Sequence, residues 1–271
     1  MIGWMAVELG EDRRARNRRT EAELVRSAVV VVAVPPVVLA VLAGILTRNV
    51  LVVLAVLVAV GVGLALWAWT TVTGYGASVV ARAGSTLTEE AQPRLHNLVD
   101  GLCVANGLAK PTIVEVDGPG CNIANVTVGH GSSATNALIV SAPLLAALSR
   151  IELEGVVAQQ LSQFHDGSSS VATLVAALGS TAPFGSVLAG RLAAATEPDP
   201  QVLADLAGVR LTRYPPGLAS ALHTVGSGST EIRSADAATA SLWLADPLAP
   251  GSPRDDEPAS LEVRVATLRE L

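Results

Sequence analysis

Charge is scarce in these 271 residues: 15% are Asp, Glu, Lys or Arg, while 50% are hydrophobic. That imbalance implies a membrane protein. What positive charge there is gathers near the N-terminus, where Arg13, Arg14, Arg16, Arg18 and Arg19 crowd together. No other basic patch occurs and the formal net charge is -6, so nucleic acid is excluded as a partner, because phosphate recognition needs clustered cations. Lysine is nearly missing. Lys110 is the only one among 18 basic residues, and with the richness in Ala, Val and Gly this points to a high-GC bacterial genome without bearing on mechanism. Cysteine is as rare: Cys103 and Cys121 form no CxxC pair and cannot build a disulfide framework, which leaves two small buried side chains. No GxSxG, Walker loop or dinucleotide fingerprint is present either.

What is there begins with two uncharged runs. Ser27 to Thr47 and Val50 to Ala81 carry no charge and are separated by Arg48 and Asn49. Each run holds the roughly 20 apolar residues that cross about 30 Å of hydrocarbon as a helix, so membrane helices are expected near 27–47 and 50–70. Their short connection makes a tight hairpin, and the arginines place the N-terminus and everything after Tyr75 in the cytoplasm. A cleaved signal peptide is excluded by the length of the first run and the second span that follows it. Pro35-Pro36 should kink the first span, and Trp67, Trp69 and Tyr75 suit an interfacial aromatic belt. The chain therefore divides into a basic tail (1–26), a transmembrane hairpin (27–70) and a soluble domain (76–271).

In the soluble part, Leu95, Leu98, Val99 and Leu102 recur at helical spacing before a stop at Gly107. "PTIVEVD" (Pro111 to Asp117) and "NALIVSAPLL" (Asn136 to Leu145) read as strands. Ser149, with Glu152 three residues on, makes a capping box that opens a helix running to Gly167. A third uncharged run, Ser168 to Gly190, is rich in Ser, Thr and Gly. It is expected to be a helix broken near Gly179 to Pro183, covering the soluble core or lying at the membrane surface with both ends on one side. Further helices are expected around Gln201 to Val209, after Pro215-Pro216, and over "ASLEVRVATLREL".

The helix after Ser149 carries "EGVVAQQLSQFHD", the outline of a zinc-protease helix. His-Glu-x-x-His puts two ligands at i and i+4 on one face, with a general base between them. Here Gln159, Gln160 and Gln163 stand at those places. The order of elements resembles the HtpX-type membrane zinc metalloproteases, over most of the chain. The carriers are "RLHNLVDGLCVANGLAKPTIVEVD", "CNIAN" where the family tends to have Asn-Ala-Phe-Ala, "LEGVVAQQLSQFHDG" where it has L-x-G-V-x-A-His-Glu-Leu-Ser-His, and "QVLADLAGVRLTRYPPGLASAL" where it has Glu-x-x-Ala-Asp.

The resemblance implies an α+β, mainly helical fold: a transmembrane helical hairpin followed by a zincin-like, gluzincin-type domain with a small sheet. It puts the metal ligands on Gln159, Gln163 and Gln201, the general base on Gln160, and a supporting carboxylate on Asp205. A carboxamide is a poor zinc donor and has no pKa near neutrality for taking a proton from water. Metal and base are lost together, Asp205 is left with nothing to steady, and no cofactor is expected, zinc belonging only to an active relative. His165 lies about 200° around the helix from Gln163 and cannot replace it; His96, His130 and His223 are isolated.

The expected function is that of a catalytically degenerate relative in the bacterial inner membrane, not an enzyme, acting by binding, scaffolding or regulation. The alternatives are an engineered inactive form of an active quality-control endopeptidase, and a structural subunit of a membrane complex. Expected partners are the lipid bilayer and either unfolded membrane-protein segments or a complex subunit. By the same resemblance, an edge strand before the metal helix would hold a peptide by backbone pairing. That strand is Ala137 to Ser141, flanked by Cys121 to Asn125, and the groove candidates are Asn122, Leu138, Ile139, Val140 and Ser141.

Overall fold

The computed structural model describes residues 2–47, 50–129, 131–180, 200–248 and 260–271. Helix α1 (Ile2–Thr47) and helix α2 (Val50–Ala83) contain the two expected spans but overrun them. Nothing at Ser27 or near residue 70 stops a helix, so α1 continues back through the arginines and α2 runs on to Ala83. Helix α1 also passes through Pro35-Pro36 without ending. The two helices pack against each other, with Gly44 so close to Val53 that any Cβ there would collide with it. Among the described residues, Val50–Ala83 is long and apolar enough to cross a membrane, by length and composition.

The last turns of α2 belong to the soluble domain. Gly76 lets the helix backbone approach the Thr127 carbonyl more closely than a Cβ would permit, and Val79 and Ala83 enter the core. The chain then forms β1 (Gly84–Thr86), α3 (Pro93–Asn106), β2 (Thr112–Val116), β3 (Ile123–Val128), β4 (Thr135–Ser141), α4 (Ala142–Ala147), α5 (Arg150–Asp166) and α6 (Ser168–Gly179). After residues 181–199, which lie outside the described residues, come α7 (Pro200–Thr212), α8 (Pro215–Gly226) and α9 (Leu261–Arg269). The result is α+β and mainly helical, with one small mixed sheet.

The sheet order is β1-β2-β4-β3, with β2 and β4 parallel and the other pairs antiparallel. Alternation along the strands feeds two cores. Ile113, Ile123, Leu138 and Val140 face α3, α5 and α8. Val114, Val116, Ala124, Val126 and Ile139 face the end of α2, α6 and Trp243. Side chains at this depth contribute roughly 1.5–3 kcal/mol each when removed from water. The segment "NALIVSAPLL" is only half strand: Ser141 caps α4 through the Leu144 amide, and Pro143 sits in that helix's first turn, where its missing N–H costs nothing.

Helix α5 opens on the expected capping box, with the Ser149 and Glu152 side chains each accepting the other's backbone N–H. It closes on Gly167, whose φ of 77° is left-handed. Its C-terminal carbonyls are capped from another helix. Asn17 Nδ2 donates to the Asp166 carbonyl at 2.8 Å, Arg14 donates to the His165 carbonyl, and Arg13 pairs with the Asp166 carboxylate at 2.9 Å. Cations at a helix C-terminus complement its dipole. Next along α1, Glu21 accepts from Ser170 at 2.9 Å and Leu24 packs with Val171, Leu174 and Leu178 of α6. The basic stretch is thus one helix with the first apolar run and is docked on the soluble domain. Helix α6 ends at Gly179, with Ser180 as its C-cap, and covers the core, as expected for the start of the third uncharged run; the remainder, 181–190, lies outside the described residues.

Candidate functional site

Helix α5 presents Gln159, Gln160 and Gln163 on one buried side; Gln159 and Gln160 are both 0% exposed. Helix α7 crosses at Gln159, where an added Cβ on Gly208 would stand 2.5 Å from the Gln159 Cα. That approach brings Gln201, in the first turn of α7, onto Gln159. Strand β3 supplies Asn125 from the other side. The positions inferred for ligands and base are therefore brought together, apart from Gln163, which shares the helix face without a bond to the rest.

The amides form a single directed chain. Asn125 Nδ2 donates to Gln160 Oε1 at 2.6 Å, and Gln160 Nε2 donates to Gln159 Oε1 at 2.5 Å. Gln159 Nε2 donates to Gln201 Oε1 at 3.2 Å, and Gln201 Nε2 donates to the Trp243 carbonyl at 3.2 Å. The last link sets the direction of all the others. A backbone carbonyl only accepts, so Gln201 must turn its nitrogen to it, which leaves Gln201 Oε1 to accept from Gln159, and so on back to Asn125. Two ends are loose: Asn125 Oδ1 and Gln163 Nε2 are buried without a hydrogen-bond partner among the described residues.

Asp205 is not idle. Arg264 grips it with two hydrogen bonds, Nε to Oδ2 at 2.7 Å and Nη2 to Oδ1 at 2.8 Å, and gives its third donor to the Leu244 carbonyl at 2.6 Å. Both side chains are 2% exposed. Burial pushes the Asp205 carboxyl up, while Arg264 and a hydrogen bond from Gln159 pull it down. The pair ties α7 to α9 and to the 242–245 segment. Arg264 went unnoticed in the sequence, although it falls between Leu261, Val265 and Leu268 on the apolar stripe of α9, where an arginine has no reason to be unless it is paired.

The expected peptide groove requires correction. Leu138, Ile139, Val140 and Ser141 lie in β4, which is flanked by β2 on one side and β3 on the other, so its backbone has no free edge. All four are 0% exposed. Asn122 is saturated by structure: Nδ2 donates to the Thr230 and Ala245 carbonyls, and Oδ1 accepts from the Ile123 and Ala245 amides. The edge strand beside the glutamines is β3, and the chain covers it itself. Trp243 bridges Ala124 in antiparallel sense, the Leu244 amide donates to the Ile123 carbonyl at 2.8 Å, and the Thr127 amide donates to Thr173 of α6 at 3.1 Å.

Among the described residues no histidine joins the amide cluster as a substitute ligand. His165 is outside the amide cluster, bound to Arg14, and His96 bonds the Leu87 carbonyl at 3.0 Å. His130 lies outside the described residues. Among the described residues no three His, Cys, Asp or Glu side chains gather as a metal-ligand set. The donor chemistry at the inferred zinc positions does not fit zinc either. Three neutral carboxamides there, with a fourth at the base position, offer neither imidazole nor thiolate nor carboxylate, and Gln159, Gln160 and Gln201 already spend their oxygens on neighbouring amides. Cys103 and Cys121 are buried free thiols, their pKa values raised mainly by that burial.

Comparison with known proteins gives one consistent answer. No family model matches the chain, and no solved structure does. The chain is 30% identical over 195 residues to the Protease HtpX homolog of Dictyoglomus turgidum, an alignment covering 59% of this chain and 63% of the relative. The Protease HtpX homolog of Dictyoglomus thermophilum is 30% identical over 200 residues, covering 60% of this chain and 64% of the relative. That of Tropheryma whipplei is 27% identical over 208 residues, covering 64% and 70%. The chain spans less than two thirds of the length of the two Dictyoglomus relatives. These relatives carry the same family name that the glutamine-bearing helix suggested, and over about 60% of its length the chain is similar to proteases of the HtpX type.

Proposed function

We propose that this chain is a membrane-anchored, catalytically silent member of the family that works by binding or scaffolding rather than by cleavage. The observation that supports it is the amide relay: the side chains at the base position and at two of the three ligand positions, Gln160, Gln159 and Gln201, bond one another and the Trp243 carbonyl. A neutral chain satisfied in this way is stable without metal, whereas histidines and carboxylates packed as closely would need a cation to offset their mutual repulsion. Such mutual fit favours an arrangement selected for its own stability over four separate inactivating replacements. The anchor is α2 with the apolar half of α1 beside it, in a bacterial inner membrane with the soluble domain in the cytoplasm. The partner is a membrane-complex subunit or an unfolded membrane-protein segment, held on a surface other than β4.

Zinc content and proteolysis test the reading. The purified chain is expected to hold no stoichiometric zinc and to leave unfolded casein intact. A quadruple variant, Gln159→His, Gln160→Glu, Gln163→His and Gln201→Glu, is expected to take up about one zinc per chain, since it restores a two-histidine, one-glutamate set. Tightly held zinc in the unaltered chain, or chelator-sensitive cleavage by it, would overturn the proposal.

A further inference from the structure

The arginine-rich part of α1 has two faces, and only one of them is used by the fold. Arg13, Arg14, Asn17, Glu21 and Leu24 turn toward α5 and α6. Arg18, Arg19 and Arg26 point elsewhere: all three are exposed, and none has an ion pair or side-chain hydrogen bond among the described residues. Helical geometry groups them. Arg19 and Arg26 are seven residues apart and so only about 20° apart around the axis, with Arg18 one step of about 100° from Arg19. The docked residues centre on the side opposite Arg19 and Arg26, and Arg18 lies on the flank between the two faces. Three desolvation-resistant, permanently charged side chains are therefore held out from the domain by a helix that its other face has fixed in place.

What they face is set by the same helix. The uncharged run begins at Ser27, so Arg26 lies about 1.5 Å, and Arg19 and Arg18 about 12–14 Å, above its start along the axis. The headgroup layer is roughly 5–7 Å deep on each side of the hydrocarbon. An extended arginine reaches about as far again, and charges interact over a Debye length of about 8 Å in physiological salt. Trp69 marks the same level on α2. It is 70% exposed, and the antiparallel register given by Gly44 against Val53 and by Trp67 against the Leu24 cluster brings it within about one turn of Arg26. An exposed indole at the same level as an exposed arginine at the end of an apolar run is the composition of a membrane interface.

We propose that Arg18, Arg19 and Arg26 form a binding surface for anionic phospholipid headgroups, which anchors the docked segment of α1 against the bilayer. The inward arginines hold α5, and the outward ones hold lipid. This surface is independent of whether the glutamine site is silent.

Native mass spectrometry of the full chain in neutral detergent tests it, with titration by phosphatidylglycerol or phosphatidylcholine. Wild type is expected to retain phosphatidylglycerol in preference. The triple variant Arg18→Gln, Arg19→Gln, Arg26→Gln should lose about tenfold or more in that affinity, at about a factor of several per arginine, with phosphatidylcholine unchanged. The Arg→Lys triple should keep the preference, and Arg14→Gln, on the inward face, should keep it as well. Equal phosphatidylglycerol retention by wild type and the Gln triple would overturn the proposal. So would displacement of the lipid by millimolar inorganic phosphate, which would show a site for free anions rather than for a membrane surface. Far-UV circular dichroism on both triples separates loss of lipid binding from loss of fold.

Discussion

Replacing Gln201 by Glu tests the direction of the amide relay, because it keeps the shape of the side chain while turning its donor nitrogen into a charged oxygen that only accepts. In the native arrangement Gln201 accepts from Gln159 and donates to the Trp243 carbonyl. A glutamate can keep the first bond and cannot make the second. The Trp243 carbonyl, on a residue 5% exposed, loses its donor at about 1–3 kcal/mol and meets a negative charge in a half-buried place. The total should be roughly 2–4 kcal/mol, a fall of about 5–10 °C in the unfolding midpoint for a domain of this size. Gln201→Leu loses both bonds but adds no charge; it should cost a comparable amount, roughly 2–4 kcal/mol, and, having nothing to protonate, should not recover on acidification. On acidification the Glu variant should recover, since a protonated carboxyl again has a donor for the Trp243 carbonyl; its pKa is raised because the charged form is the disfavoured one. The assay is thermal unfolding in detergent by near-ultraviolet circular dichroism, each variant read against wild type at the same pH so that other titrations cancel. A Glu variant that melts with wild type at pH 7, or that stays low at acid pH, would refute the assigned direction and with it the claim that the glutamines fit one another.

Two further outcomes follow from the buried charges and the α1 clamp. Arg264→Met should destabilise by about 3–5 kcal/mol, because it leaves the Asp205 carboxylate buried without its partner; adding Asp205→Asn should restore much of the loss, and a double variant no better than the single would show that the pair is not coupled. Arg14 Nη2 lies 2.7 Å from His165 Nδ1, and a guanidinium only donates, so that ring nitrogen is bare and the folded state holds His165 neutral. Burial first, then Arg14, lowers its pKa from the ordinary 6.5. The folded state thus binds fewer protons than the unfolded, so this contribution is present above about pH 6.5 and is lost as the pH falls through the lowered folded value. The melting temperature should decline on acidification below about pH 6.5, and His165→Gln should flatten that part of the curve; an identical slope in the variant would exclude His165 as its source.

Local pattern was enough for elements whose instructions lie within a few residues. Leu95, Leu98, Val99, Leu102 and the stop at Gly107 describe α3, Ser149 and Glu152 open α5, and Gln159, Gln160 and Gln163 fall on one helix side because 3.6 residues make a turn. Even the similarity to HtpX-type proteases was legible in the spacing around those glutamines. What the sequence could not show depends on partners far along the chain. Two apolar runs say that helices can cross a membrane, but not that α1 extends unbroken through the arginines, since only docking on α5 and α6 gives those residues somewhere to go. The strand at Thr135–Ser141 has a readable pattern, yet its place between β2 and β3 is set by pairing, and a central strand and an edge strand can share the same alternation. Arg264 could be counted as one charge on a helix until Asp205, 59 residues earlier, closed on it. The glutamines were legible as four absences. Only the fold, by putting the Trp243 carbonyl at the end of their row, turned them into one oriented chain, because a hydrogen bond's direction is decided by which group at its end cannot donate.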